Sequence, residues 1–439
     1  MGSDYSTYSF AELLSNIVDN RGKTCPVDED GLPLIATNCV KNNTLYPVFE
    51  KVRYVNKETY DTWFRGHPEP GDMIFVCKGS PGNVCWTPDP VNFCIAQDMV
   101  AIRANEEIVD PKYLFALLRS PSTQARILNM HVGTLIPHFK KGDFKNLYFD
   151  IPNDKDIQKA IGEIYFRFSE KIELNRRMNQ TLEGIAQAIF KSWFVDFDPV
   201  RAKAAGQQLP GLASYIADLF PDAFEASELG KIPREWKYRS LYSCAQYING
   251  AAFRSSDFSP DWSGLPIIKI AELKKGITAK TKFTSKELKS KYLLNNGDIL
   301  FSWSGSPKTS LDVFLWSGGP AWLNQHIFRV IPNRSIERSF IYSLLRYLKP
   351  TFIEIARNKQ TTGLGHVTMR DMKDLQVVLP PDEILEAFHR IAGPLLDRVY
   401  CNMVESHTLT QLRDTLLPKL ISGELRVPDA ERFLTEVSS

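Results

Sequence analysis

The sequence predicts a mixed α/β protein in which one domain occurs twice. Each copy is followed by a long helix, and the two helices form an antiparallel coiled coil about a pseudo-two-fold axis. Three observations lead there. The first is duplication: GLPLIATNCV from Gly31 returns as GLPIIKIAEL from Gly264, PGDMIFVCKGSPGN from Pro70 as NGDILFSWSGSPKT from Asn296, and ALLRSP from Ala116 as SLLRYL from Ser343. His138, Asp143, Lys145, Leu147 and Pro152 recur as His366, Asp371, Lys373, Leu375 and Pro380, each 228 positions on. A period of that length is far beyond the few tens of residues of a solenoid unit, so the repeated object is a domain.

The second observation is a pair of matched heptad stripes. In the first, apolar residues fall at Ile157, Ile161, Ile164, Phe168, Met178, Leu182, Ile185 and Ile189. Ile384, Phe388, Ile391, Leu395, Leu409, Leu412 and Leu416 occupy the same seam 227 positions later, where Glu405 replaces Met178. Even the polar interruptions coincide, with Lys171 and Asn175 answered by Arg398 and Asn402. Spacings of alternating three and four define a seam that another helix covers, and a polar residue within it sets register at a cost in stability. Units related by an approximate two-fold axis run such helices antiparallel. Pro394 removes a helix hydrogen bond and is expected to kink the second helix early.

The third observation is local patterning. Ahead of each helix lie about 150 residues with short β-prone runs such as DMIFVC and DILFSW, expected to alternate in burial and bounded by Gly, Pro, Asn and Ser. The expected boundaries are a first domain over residues 1–152, a helical region over 153–196, and a connector over 197–235. A second domain follows over 236–380, then a second helical region over 381–425 and a C-terminal tail over 426–439. The connector is recognised from the proline, glycine and alanine of DFDPVRAKAAGQQLPG.

A length of 439 residues with 43% apolar content supports more than one core. The first apolar stretch, near Phe10 to Val18, is broken by Glu12, Ser15 and Asn16, and no run reaches the roughly 20 residues of a spanning helix. A cytoplasmic location without membrane contact is therefore expected. Seven cysteines, scattered and without a CxxC pair, indicate neither a disulfide framework nor a zinc site. Net charge is only +2, yet Arg254 to Lys291 is dense in bases: Lys269, Lys274, Lys275, Lys280, Lys282, Lys286, Lys289 and Lys291. Lysines at that density can neutralise phosphates and release counterions from a duplex. Lys41, Lys51, Arg53, Lys57 and Arg65 form a weaker echo in the first copy.

FKSWFVDFDPVRAKA from Phe190, ELGKIPREW from Glu228, NRGKT from Asn20, GDILFSWSGSP from Gly297 and LRDTLLPKLISGEL from Leu412 occur in that family's order and closely resemble the specificity subunit of bacterial type I restriction-modification systems. The resemblance covers nearly the whole chain. It implies two target-recognition domains, each reading one half of a split, asymmetric sequence on double-stranded DNA, held apart by helices that bind two methyltransferase subunits. Restriction/translocase subunits are further expected partners. It also implies that the chain is no catalyst and binds no cofactor or metal, with AdoMet, ATP and Mg expected on the partner subunits.

Catalytic motifs weigh against this reading only weakly. Gly22, Lys23 and Thr24 spell GKT, but Ile17 stands where a phosphate-binding loop needs its first glycine. Pro260, Asp261, Glu272, Leu273 and Lys274 resemble a metal-dependent nuclease motif and define an alternative reading; a protein-only assembly scaffold is another. Direct readout in the major groove calls for Lys, Arg, Asn or Gln on loops. The expected DNA-binding residues are Lys78, Ser80 and Asn83 in CKGSPGN, Trp303, Ser304, Ser306 and Lys308 in SWSGSPKT, and Lys269, Lys274, Lys275, Lys280 and Lys282.

Overall fold

A computed structural model describes residues 4–20, 22–130, 137–359 and 364–430. Arg21 of the NRGKT motif and residues 431–439 of the expected tail lie outside it. The chain divides into two units, one formed by Met1–Leu174 with Ser406–Ser439 and the other by Asn175–Glu405.

In the first unit a four-stranded antiparallel sheet is ordered Leu14–Val18, Met99–Ala104, Met73–Val76, Val84–Trp86. A second sheet places Leu32–Ile35 antiparallel to Arg53–Val55 and parallel to Cys94–Ile95. The second unit repeats this plan. Its four strands are Ala245–Asn249, Ile327–Pro332, Ile299–Ser302 and Asp312–Leu315. Leu265–Ile268 pairs antiparallel with Phe283–Thr284 and parallel with Ala321–Leu323. An outer ribbon closes each copy, Tyr5–Ser9 with Tyr148–Pro152 and Lys237–Ser240 with Gln376–Leu379.

The central strands depart from the alternation expected of them. Met73–Val76 and Ile299–Ser302 are buried at every position. Met73 and Phe75 point into one core with Phe10, Phe139 and Phe144, whereas Ile74 and Val76 enter another with Ile35 and Phe93. A sheet sandwiched between two apolar layers has no solvent face, so its central strands read as continuous apolar runs. The repeated glycine of the GLP motif has a backbone reason. Gly31 and Gly264 have φ of +120° and +86°, and a Cβ would lie 2.3 Å from the Val55 carbonyl oxygen or 2.1 Å from that of Thr284. Only glycine tolerates both conditions.

Two 40-residue helices, α1 (Lys155–Phe194) and α2 (Asp382–Ile421), each contribute to both units. In the first unit Ile161, Tyr165 and Phe168 pack with Leu416, Leu417 and Leu420. In the second, Phe190, Trp193 and Phe194 surround Phe388. Asn175 and Asn402 are both fully buried; the Asn175 amide donates to a Glu405 carboxylate oxygen at 2.8 Å, and that of Asn402 to Asn179 Oδ1 at 2.8 Å. Pairing of 175 with 402 and of 190 with 388 makes the helices antiparallel here. Ile384 is buried, while Ile164, Leu182, Ile391, Leu395, Leu409 and Leu412 are partly buried against the cores.

Two seam assignments are corrected. Ile157 and Ile185 are 41% and 44% exposed, and the adjacent Gln158 and Ala186 turn inward instead. A straight helix drifts about 20° per heptad from a 3.5-residue repeat, so the buried stripe passes to a neighbour away from the seam's middle. At Pro394, where a kink is expected, α2 is continuous. Proline's Cδ clashes with the Cβ of the residue before it, and Gly393 has none.

The connector is an ordered structure. Asp198–Ala204 is helical, and Phe224–Ser227 pairs with Gly230–Pro233 in a hairpin. Phe197, Phe220, Phe224 and Trp236 pack edge to face or tilted around it.

Candidate nucleic-acid interface

In each unit one sheet edge gathers three segments on the same backbone frame. After the central strand, the Cys77 N–H donates to the Asp98 carbonyl at 2.9 Å while the Cys77 carbonyl accepts from Phe139 N–H at 2.8 Å. In the second unit the Trp303 N–H donates to the His326 carbonyl at 3.4 Å, and its carbonyl accepts from Val367 N–H at 2.9 Å. Lys78 bridges to His138 as Ser304 pairs with His366. The turn leading from one sheet to the other is Gln97-Asp98 in one copy and Gln325-His326 in its counterpart. Gln97 and Gln325 are half-buried, whereas Asp98 and His326 are exposed. Asp98 has φ +75°, a conformation that Asp tolerates better than most residues.

The side chains on this shared frame differ in kind. The first edge carries charges: Lys141 pairs with Asp19 at 2.5 Å, and Lys78 lies 4.0 Å from Asp98. Burial, reinforced by Asp19, pushes the Cys77 thiol behind them up to about 12. The second edge offers an indole, amides and imidazoles. Trp303 Nε1 donates to Asn249 Oδ1 at 3.2 Å, its ring stacks on Phe328, and Gln325 meets the His326 ring at 3.3 Å.

The sequence-predicted residues fall into different environments. Ser80 is exposed at a loop tip and Lys78 half-exposed, but the Asn83 amide is directed inward and donates to the Val40 carbonyl at 3.1 Å. It thereby ties this loop to the segment at Val40, while the turn itself is closed by backbone bonds from Gly82 N–H to the Val76 carbonyl and from Asn83 N–H to that of Ser80. Ser306 precedes the short helix Pro307–Ser310, where its carbonyl accepts from Thr309 and Ser310 N–H groups, and Lys308 is exposed on that helix. Lys275, Lys280 and Lys282 are exposed. Lys269 instead lies 5.2 Å from the Phe258 ring centroid and Lys286 pairs with Asp257 at 2.8 Å, while Lys274 is exposed, with its pKa lowered by partial desolvation and by Lys349 against the opposing pull of Asp312. Asp19, Gln97, Asp98, Lys141, Asn249, Gln325 and His326 were not singled out by sequence. For Gln97, Asp98, Gln325 and His326 the signal is the matched spacing of AQDM and NQHI, but only the chain's turn between sheets brings them beside the CKGSPG and SWSGSP loops.

The nuclease motif is not assembled. One Glu272 carboxylate oxygen accepts from Lys269 N–H at 3.0 Å and the other from Thr281 Oγ at 3.2 Å, so this buried carboxylate caps its own helix. Asp261 is exposed, with its pKa lowered by the Ser263 hydroxyl and N–H. Among the described residues no cluster of three or more His, Cys, Asp or Glu could hold a metal ion, and no helix is long and apolar enough to cross a membrane.

The family model for the type I restriction modification DNA specificity domain matches residues 25–184 and again 233–398. The HindI specificity subunit of Haemophilus influenzae is 28% identical over 406 residues, covering 81% of this chain and 86% of its own. The MjaIX specificity subunit of Methanocaldococcus jannaschii is 26% identical over 324 residues, with 72% and 70% covered. The crystal structure of a type I system S subunit from M. genitalium superimposes with a TM-score of 0.51 over 95% of this chain and 96% of that one, at 16% identity, which is a likeness of fold. Two matched domains, twofold repetition of one sheet edge and relatives spanning most of the chain converge: this protein belongs to the type I restriction-modification DNA specificity family.

Proposed function

We propose that this chain is the DNA sequence-recognition subunit of a type I restriction-modification complex, reading a bipartite, asymmetric target with one half-site for each unit. The observation that carries the asymmetry is the pair of equivalent edges, alike in backbone hydrogen bonds and unlike in side chains. One frame with two chemistries suits two different half-sites, because base edges in the major groove are told apart by donor and acceptor pattern. Phosphate contacts position a protein on the duplex, and the exposed Lys275, Lys280 and Lys282 suit that task.

In this reading the chain performs no chemistry in the cytoplasm. Methyltransferase subunits, two per chain, dock on its helical regions, and restriction/translocase subunits join them; AdoMet, ATP and Mg belong to those partners. The seam polar residues Asn175 and Asn402 serve register and not catalysis. The domain limits near residues 152 and 236 define the exchangeable modules.

Exchange of residues 1–152 for the corresponding segment of another family member tests the proposal. Mapping of methylated bases in cells carrying the chimera is expected to show one changed half-site and one retained. A change in both halves, or in neither, would overturn independent reading.

A further inference from the structure

Base-reading groups belong at positions where the two units share backbone hydrogen bonds and exposure but not chemistry. Gln97 and Gln325 are the same residue in the same place, and so are His138 and His366. Cys77 and Trp303 differ, yet the thiol is buried and the indole N–H is engaged by Asn249. Lys141 is already paired with Asp19. Lys78 and Ser304 also differ, but both are half-buried, whereas Asp98 and His326 are exposed. Each follows the shared glutamine, and the carbonyl of each is tied to the neighbouring strand, although Asp98 has φ +75° and lies 4.0 Å from Lys78 while His326 lacks the positive φ. Anchored backbone with an outward, divergent side chain is what a specificity position requires, because a held main chain aims the side chain reproducibly.

Resting on the recognition function proposed above, we infer that this turn residue discriminates a base in each half-site, Asp98 selecting cytosine and His326 a guanine. A carboxylate is acceptor-only and matches the cytosine N4 amino group, the one amino donor that cytosine presents in the major groove. An imidazole N–H matches the N7 and O6 acceptors of guanine. The preceding Gln97 and Gln325 supply a common contact, whose amide geometry fits adenine N6 and N7. Lys78, 4.0 Å from Asp98, lies within reach of the guanine paired with that cytosine.

Selection from a duplex library with randomised half-sites, using the full chain copurified with its methyltransferase, tests this. Asp98→Asn replaces an acceptor by an amide in a residue that still tolerates the turn's φ. Its expected effect is confined to one base pair of one half-site, where preference moves from cytosine toward adenine and discrimination for cytosine falls roughly 10-fold or more. His326→Gln should act in the same way on the other half-site, losing its guanine preference. Binding to random-sequence duplex stays within about 2-fold of wild type in both, since phosphate contacts are untouched. The second variant keeps the idea falsifiable should the first fail to fold. Selected sequences identical to wild type in either folded variant would overturn the assignment while leaving recognition intact. A wild-type chain that selects no sequence would overturn the recognition reading itself, and this inference with it.

Discussion

Arg119 and Arg346 hold equivalent places in the two units and are satisfied in opposite ways. Arg119 is buried and gives its guanidinium to the carbonyls of Val84, Lys41 and Thr44. Burial lowers its pKa. Arg346 is half-buried and pairs with the carboxylates of Glu183 at 3.2 Å and Asp312 at 3.5 Å. There burial opposes the charge, but Tyr342, Glu183 and Asp312 outweigh it and raise the pKa. Each lies over an aromatic ring four positions back, Phe115 or Tyr342. A duplicated fold keeps a cation where two segments must be tied together, and is free to change what the cation binds. In the first unit it knits loops to a strand; in the second it ties α1 to a strand of the sheet.

That difference can be broken by substitution. Arg119→Met leaves three carbonyls short of a donor in a buried place and should destabilise the first unit by about 3 kcal/mol or more. Arg346→Met removes a partner from carboxylates that still see water, and Lys349 remains at 2.5 Å from Asp312; about 1–2 kcal/mol is expected. Urea unfolding with tryptophan and far-ultraviolet readouts measures both. The reverse order would mean that the carboxylate pairs, and not the carbonyl cluster, dominate.

A second contrast sits between the helices. Asn175 meets Glu405 at 2.8 Å in the second unit, whereas Ser169 and Arg413 meet at 3.4 Å in the first. A double-mutant cycle should give a coupling of about 1–2 kcal/mol for the first pair and under about 0.5 kcal/mol for the second. Equal couplings would show that the buried asparagines are not a specific clasp.

The smallest effect is electrostatic. Lys280→Ala and Lys282→Ala together should lower the log–log salt slope of DNA binding by roughly 0.9 for each phosphate no longer neutralised. Lys41→Ala in the first unit should change it less, because Lys41 already pairs with Glu50 at 2.7 Å. A salt titration in which both variants match wild type would assign these lysines to solvation alone.

Much of this architecture is legible in one dimension. The 228-residue echo announces two copies of a domain, and matched polar breaks at Asn175 and Asn402 mark positions that the structure buries. Ile157 and Ile185 mislead because a heptad pattern does not record the slow drift of a straight helix. The connector's composition marks its place in the chain but does not record the hairpin of Phe224–Ser227 with Gly230–Pro233. At the candidate interface, sequence points to loops rich in lysine, serine and glycine, and it overlooks a two-residue turn.

The sequence by itself determined which segments are equivalent, which stretches are apolar enough to be strands or helices, and which family's motifs the chain carries. These are local or periodic properties, and they survive in a string. Only the tertiary structure decided that Met73–Val76 is buried on both faces, that Asn83 turns inward, and that Asp98 and His326 stand exposed beside Lys78 and Trp303. Those facts depend on which distant strands pair and what packs on each side of them. That is settled by burial and hydrogen bonding between segments far apart in the chain, to which no single stretch of residues bears witness.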